Sequence, residues 1–101
     1  MSYSLEIITW HNIELEVRYI PSYCVALEGD DAMAHIEVSV IHPENHPLPI
    51  TETGYKSHFI HRINVEEYGS ATDYVLAWLN HEAQTPEWKK FEESSRQGEL
   101  F

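Results

Sequence analysis

The chain has 101 residues, 43% hydrophobic and 12% aromatic, with seventeen acidic side chains against six lysines and arginines. That length holds one modest core and a single domain, residues 1–101, and the aromatic content separates the chain from disordered acidic sequences. The formal net charge of −11 disfavours direct contact with nucleic acid or an anionic membrane and favours a basic partner.

Cys24 is the one cysteine, so no internal disulfide forms and nothing points to secretion. The start, MSYSLEIITW, has no basic region ahead of its apolar residues, and Glu6 interrupts it. No apolar run approaches the ~18 residues of a membrane helix. A reducing, cytoplasmic setting is expected.

Tyr3, Leu5 and Ile7, then Ile13, Leu15, Val17 and Tyr19, are apolar at period two, the pattern of half-buried strands. A two-residue loop at His11-Asn12 would set Ile7 opposite Glu16, a core side chain against a solvent one. A three-residue loop, Trp10-His11-Asn12, instead pairs Thr9 with Ile13, Ile7 with Leu15, Leu5 with Val17 and Tyr3 with Tyr19. That register places every inward residue against another, and Asn12 suits its left-handed position. It also predicts outward pairs of Ile8 with Glu14, Glu6 with Glu16 and Ser4 with Arg18.

Pro21 ends the second strand, and PSYCVALEGDDA reads as a connection with a turn at Gly29-Asp30-Asp31. Ala34, Ile36, Val38 and Val40 alternate with His35, Glu37 and Ser39 as a third strand. Three X-Pro bonds then stiffen a surface connector up to Tyr55. Gly54 turns the chain at positive φ into a short fourth strand, YKSHFI, with Tyr55 expected inward. In ATDYVLAWLNHEA, preceded by Ser70, Ala71, Val75, Trp78 and Leu79 form one helical stripe, and Asp73 suits the first turn. TPEW starts a second helix, with Thr85 as N-cap and Pro86 at the first helical position; it runs to about Gln97, with Gly98 as C-cap. The predicted fold class is α+β: an antiparallel sheet of three to four strands with two C-terminal helices packed on one face.

The run PLPITETGYKSHFI, followed by YVLAWLNHEA and the short QGELF end, resembles a group of small uncharacterised proteins of proteobacterial plasmids and integrative elements. The resemblance covers roughly residues 34–83, and no established activity transfers with it. It implies a setting on mobile DNA, where small accessory proteins often counter host defence.

Zinc needs three or four converging ligands at short spacings. His42 and His46 are split by prolines, His58 and His61 point to opposite faces of a strand, and there is no second cysteine. No metal or other cofactor is expected. Nucleophilic catalysis lacks a Gly-x-Ser-x-Gly elbow and a phosphate cradle, and Ser57 and His58, adjacent on a strand, face opposite ways. The distinctive feature is acidity: Glu6, Glu14, Glu16 and Glu37 gather on the outer sheet face, with Glu28, Asp30 and Asp31 at the connecting turn. The expected function is a non-catalytic binding protein, a DNA mimic that docks on a basic, normally nucleic-acid-binding protein surface and inhibits a nuclease-based host defence, by anti-CRISPR or anti-restriction action. The alternatives are an adaptor or regulator using Trp10, Tyr23 or the Pro-rich loop, and a small His-dependent metalloenzyme.

Overall fold

His11 and Asn12 both take left-handed backbone angles (φ 49° and 65°) and close a two-residue hairpin between β1 (Ser4–Trp10) and β2 (Ile13–Ile20). Two successive positive φ angles give the turn whose twist matches that of the flanking strands. The computed structural model describes residues 3–21 and 33–98, with side chains to residue 94. The expected turn at Gly29-Asp30-Asp31, together with Tyr23, Cys24 and Glu28, lies outside the described residues.

The hairpin register differs from the expectation. Trp10 pairs with Ile13, Ile8 with Leu15, Glu6 with Val17 and Ser4 with Tyr19, while Ile7 stands opposite Glu16 and Leu5 opposite Arg18. Strand β1 carries apolar residues at both parities, and the structure buries Ile8 and Trp10 rather than Leu5 and Ile7. The reason is Trp10. It is 4% exposed, its indole Nε1 donates to Asn80 Oδ1 at 2.9 Å, and its ring centroid lies 6.0 Å from that of Trp88. A buried indole with a bonded N–H outweighs two aliphatic side chains left at a sheet edge.

Strands β3 (Met33–His42) and β4 (Tyr55–His61) complete an antiparallel sheet in the order β1-β2-β3-β4. A bulge between Glu14 and Leu15 of β2 leaves Ile41 unpaired opposite them. Between β3 and β4 the connector is more than a surface spacer, because Leu48 enters the core at 3% exposure. Leu48 and Thr51 exchange backbone hydrogen bonds of 2.8 and 3.1 Å across Pro49-Ile50. The Thr51 and Thr53 hydroxyls both donate to the carbonyl of Tyr55, at 2.8 and 3.3 Å. Gly54 (φ 82°) lets its carbonyl accept from the Val40 N–H at 2.8 Å. The ITETGY segment is thus a turn built from threonine hydroxyls and one left-handed glycine.

Three helices follow: α1 (Arg62–Glu66), α2 (Ala71–Glu82) and α3 (Pro86–Gly98). The short α1 has no counterpart in the sequence reading. Helix α2 starts where Ser70 Oγ accepts from the Asp73 N–H at 3.1 Å, and α3 where Thr85 Oγ1 accepts from the Trp88 N–H at 3.3 Å. Both bonds satisfy amides that a helix start leaves free. Val65, Ala71, Val75, Leu79 and Trp88 meet Leu15, Val17, Ile36 and Val38 in one core on one face of the sheet. The fold is α+β, as the alternation and the helix signals predict. Trp78 departs from its expected stripe and is half-buried at the rim of the core. Among the described residues, no helix is long and apolar enough to cross a membrane.

Candidate functional site

Among the described residues, no helix covers the other face of the sheet. Its cross-strand rows run Leu5–Arg18–Glu37–Ser57 and Ile7–Glu16–Ser39–Tyr55, with His35 opposite Phe59. Large apolar side chains stand exposed there, among them Tyr3 at 58%, Ile7 at 61% and Phe59 at 50%, with Leu5 and Tyr55 beside them. The Arg18 guanidinium lies 5.0 Å from the Tyr3 ring centre. These apolar side chains form two strips, Tyr3, Leu5 and Ile7 along β1 and Tyr55 and Phe59 on β4, with Glu16, Arg18, Glu37 and Ser39 between them; exposed apolar groups rimmed by polar ones are the usual mark of a contact surface.

The predicted acidic array is therefore redistributed. Glu14, Glu16 and Glu37 do share the open face, since each alternates with buried neighbours. Glu6 does not: it stands opposite Val17 on the helix-bearing side, where it is exposed at the edge strand. The expected like-charge pair Glu6–Glu16 does not form, and Glu16 meets Ile7 instead. Glu28, Asp30 and Asp31 fall outside the described residues. Tyr55, expected inward, is exposed on the open face, and Trp10, a candidate recognition residue, is core.

Sequence reasoning missed a polar network on this face. Ser57 Oγ lies 2.6 Å from His35 Nε2, His35 Nδ1 is 3.7 Å from Glu37 Oε1, and the Tyr55 hydroxyl donates to Glu37 Oε2 at 2.8 Å. That bond to a carboxylate raises the Tyr55 pKa above its ordinary value. The order Ser–His–Glu has the outline of a hydrolase triad, but the geometry favours scaffolding. His35 is 7% exposed and stacked against Phe59 at 4.4 Å, and 3.7 Å is too long for the acid–imidazole bond a triad needs. The network holds Tyr55 and the Glu37 carboxylate in fixed places across two strands. A period-two pattern cannot show it, because the partners are set by the pairing of β3 with β4.

The four histidines of residues 42–61 are dispersed. His42 ends β3 exposed, His46 packs edge-on to Phe91 with centroids 6.0 Å apart, and His61 lies on the open face opposite Met33. His58 faces the helices, its ring 4.6 Å from that of Trp78, with Nε2 3.4 Å from the Tyr74 hydroxyl. Among the described residues, no group of three or more His, Cys, Asp or Glu is arranged to hold a metal ion.

Burial, followed by the nearby Lys56 and His35, lowers the His58 pKa below the ordinary imidazole value. The unfolded chain therefore takes up this proton more readily than the folded one. The stability that His58 contributes is complete above about pH 6.5 and is lost as pH falls through its folded pKa. Urea unfolding should show a lower midpoint at pH 5.5 than at pH 7.5, with a smaller difference in His58→Gln. Equal pH slopes in the two proteins would contradict this placement of the ring.

Among the described residues, concave surfaces lie beside the core. One, about 430 Å³, is formed where Pro47, Leu48 and Pro49 face Trp88 and Phe91 of α3. Another, about 370 Å³, is lined by Tyr68, Tyr74, Ala77, Trp78 and His81.

No curated protein and no solved structure matches the chain. A family model does match, over residues 4–88. That span runs from the first residue of β1 to Trp88 in the first turn of α3, so it takes in all four strands, both faces of the sheet and the aromatic cavity. On that match the chain belongs to the plasmid-associated KlcB third-domain family.

Proposed function

We propose that the chain is a non-catalytic protein-binding module whose open sheet face docks on a basic, partly apolar protein surface. The observation that carries this reading is the coexistence of Tyr3, Leu5, Ile7, Tyr55 and Phe59 with Glu14, Glu16 and Glu37 on the one face that no described helix covers. Aromatic and aliphatic side chains supply contact area, and the carboxylates select a partner of opposite charge. The rigid sheet spends little ordering entropy on binding.

The narrower form is a DNA mimic that inhibits a nuclease-based host defence, a CRISPR effector or a restriction enzyme, by occupying its nucleic-acid channel. The net charge of −11 and the plasmid-associated family favour it. On a sheet, carboxylates two residues apart on a strand lie about 6.8 Å apart and neighbouring strands about 4.8 Å apart. Glu14, Glu16 and Glu37 form a small array on that grid.

Two variants of the module separate these forms on a partner captured from the host. Lysine at positions 14, 16 and 37 should abolish binding if the mimic form holds, with steep weakening in salt and competition by duplex DNA. Serine at positions 5, 7 and 59 should abolish it if the apolar contact dominates, with little salt dependence and no competition. Binding that survives both variants overturns the reading, as does labelling of Ser57 by a fluorophosphonate.

A further inference from the structure

On the helix-bearing side, away from the open sheet face, three aromatic rings meet at steep angles. Tyr68 and Tyr74 lie edge-to-face, with centroids 5.2 Å apart and planes at 85°. Tyr74 and Trp78 are 6.0 Å apart with planes at 51°. Together they wall the cavity of about 370 Å³ that Ala77 and His81 complete. A hydrophobic core would have closed such rings over; here Tyr68 is 52% exposed, and the corner opens to solvent.

We infer that Tyr68, Tyr74 and Trp78 form a cage for a methylated ammonium group. Ring faces carry the negative end of the aromatic quadrupole, and a cation held against several of them is attracted without an ion pair. The surroundings share that sign. Trp78 and His81 lie in the C-terminal half of α2, where the helix dipole favours positive charge. Glu66 and Glu67 immediately precede Tyr68, in a chain of net charge −11. Behind the cage, the lowered pKa of His58 keeps that ring neutral at pH 7, so it adds no repulsion.

The lining also decides which cation. Among the described residues, it contains no carboxylate. An arginine head brings five N–H donors and a primary ammonium three, and each must find an acceptor. A trimethylated ammonium brings none, so it gives up little hydration on entering an aromatic corner. The cage is also preorganised: Tyr74 is tied at its hydroxyl to His58 Nε2, 3.4 Å away, and Trp78 is packed on the same imidazole.

Choline and a trimethyllysine peptide carry the same head group, one as a free small molecule and the other as a protein modification. The probes are choline, its neutral carbon isostere 3,3-dimethylbutan-1-ol, and matched peptides with trimethylated or unmodified lysine, each titrated while the Trp78 indole N–H is followed by NMR. Choline should give a saturable shift and bind at least about 5-fold more tightly than the isostere. Tyr68→Leu, a change at an exposed ring, should weaken choline at least about 5-fold while leaving the unfolding midpoint unchanged. A peptide preferred over choline assigns the cage to a modified protein; the reverse assigns it to a small molecule. Equal binding of choline and its isostere, no saturable shift with either cation, or full binding in Tyr68→Leu would overturn the inference. The open-face variants with lysine or serine should retain choline binding, so the cage and the docking face fail separately.

Discussion

Trp10→Ala should destabilise the protein by about 3–5 kcal/mol, the cost of emptying an indole-sized volume in a packed core. Domains of this size have total stabilities of about 5–15 kcal/mol, so the variant should melt on the order of 12 °C lower or more. The loss has two parts. Trp10 packs beside Ile13 and Trp88 in the core, and its Nε1–H bond to Asn80 Oδ1 ties the end of β1 to α2. Trp78→Ala, at the half-buried rim, should cost clearly less. Thermal or urea unfolding of the two variants checks the hairpin register directly. If Trp78→Ala is the more damaging change, Leu5 and Ile7 face the core and the outward placement of Glu6 is restored.

That register marks where local sequence stops being sufficient. Strand β3 is legible because its central residues are apolar at one parity only: Ala34, Ile36, Val38 and Val40 face the helices, and His35, Glu37 and Ser39 between them face away. Strand β1 offers two apolar sets, and a one-residue slip exchanges them. What chooses between them is a bond from Trp10 to Asn80, seventy positions along the chain. Helix starts were legible for the opposite reason, since Ser70 and Thr85 cap amides three residues away. Helix α1, five residues long, is too short to show a period.

Gly54→Ala should cost about 2–4 kcal/mol, combining a left-handed backbone with overpacking. At φ 82° an added Cβ would stand 3.1 Å from the His46 carbonyl oxygen and 3.2 Å from two backbone atoms of Asn45. Backbone atoms cannot rotate aside, so the connector itself must move, and with it Leu48 in the core. Gly69→Ala is the control. Its φ of 101° carries a similar conformational cost, but its close neighbour is the Asp73 Oδ2 atom at 3.0 Å, the end of a side chain that can turn away. Equilibrium denaturation should rank Gly54→Ala as the worse of the two. Equal losses would mean that the crowding at Asn45 and His46 is relieved at no cost.

The candidate sites were legible in proportion to how local they are. Glu14, Glu16 and Glu37 follow from alternation alone, whereas Glu6 inherits the error in register. The Ser57–His35–Glu37–Tyr55 network crosses two strands, so only pairing reveals it. Tyr74 and Trp78 stand four apart on α2, a spacing that reads equally well as core or as a wall of a cavity. Tyr68, from the turn before α2, decides between them, and its ring contact with Tyr74 is tertiary.

Among the described residues, strand β1 is the first strand of the sheet, so half of its peptide groups have no described strand beside them. Such a margin invites a second chain to add to it, all the more when Leu5 and Ile7 are exposed along it. Charge is the natural guard against that encounter, since two molecules each carrying −11 repel before their margins meet. The guard depends on solvent acidity. Toward the isoelectric point near pH 4.8 the repulsion vanishes while the bare strand and its aliphatic residues remain. The net negative charge thus keeps the molecules apart at neutral pH, and that guard is withdrawn as the solution approaches the isoelectric point.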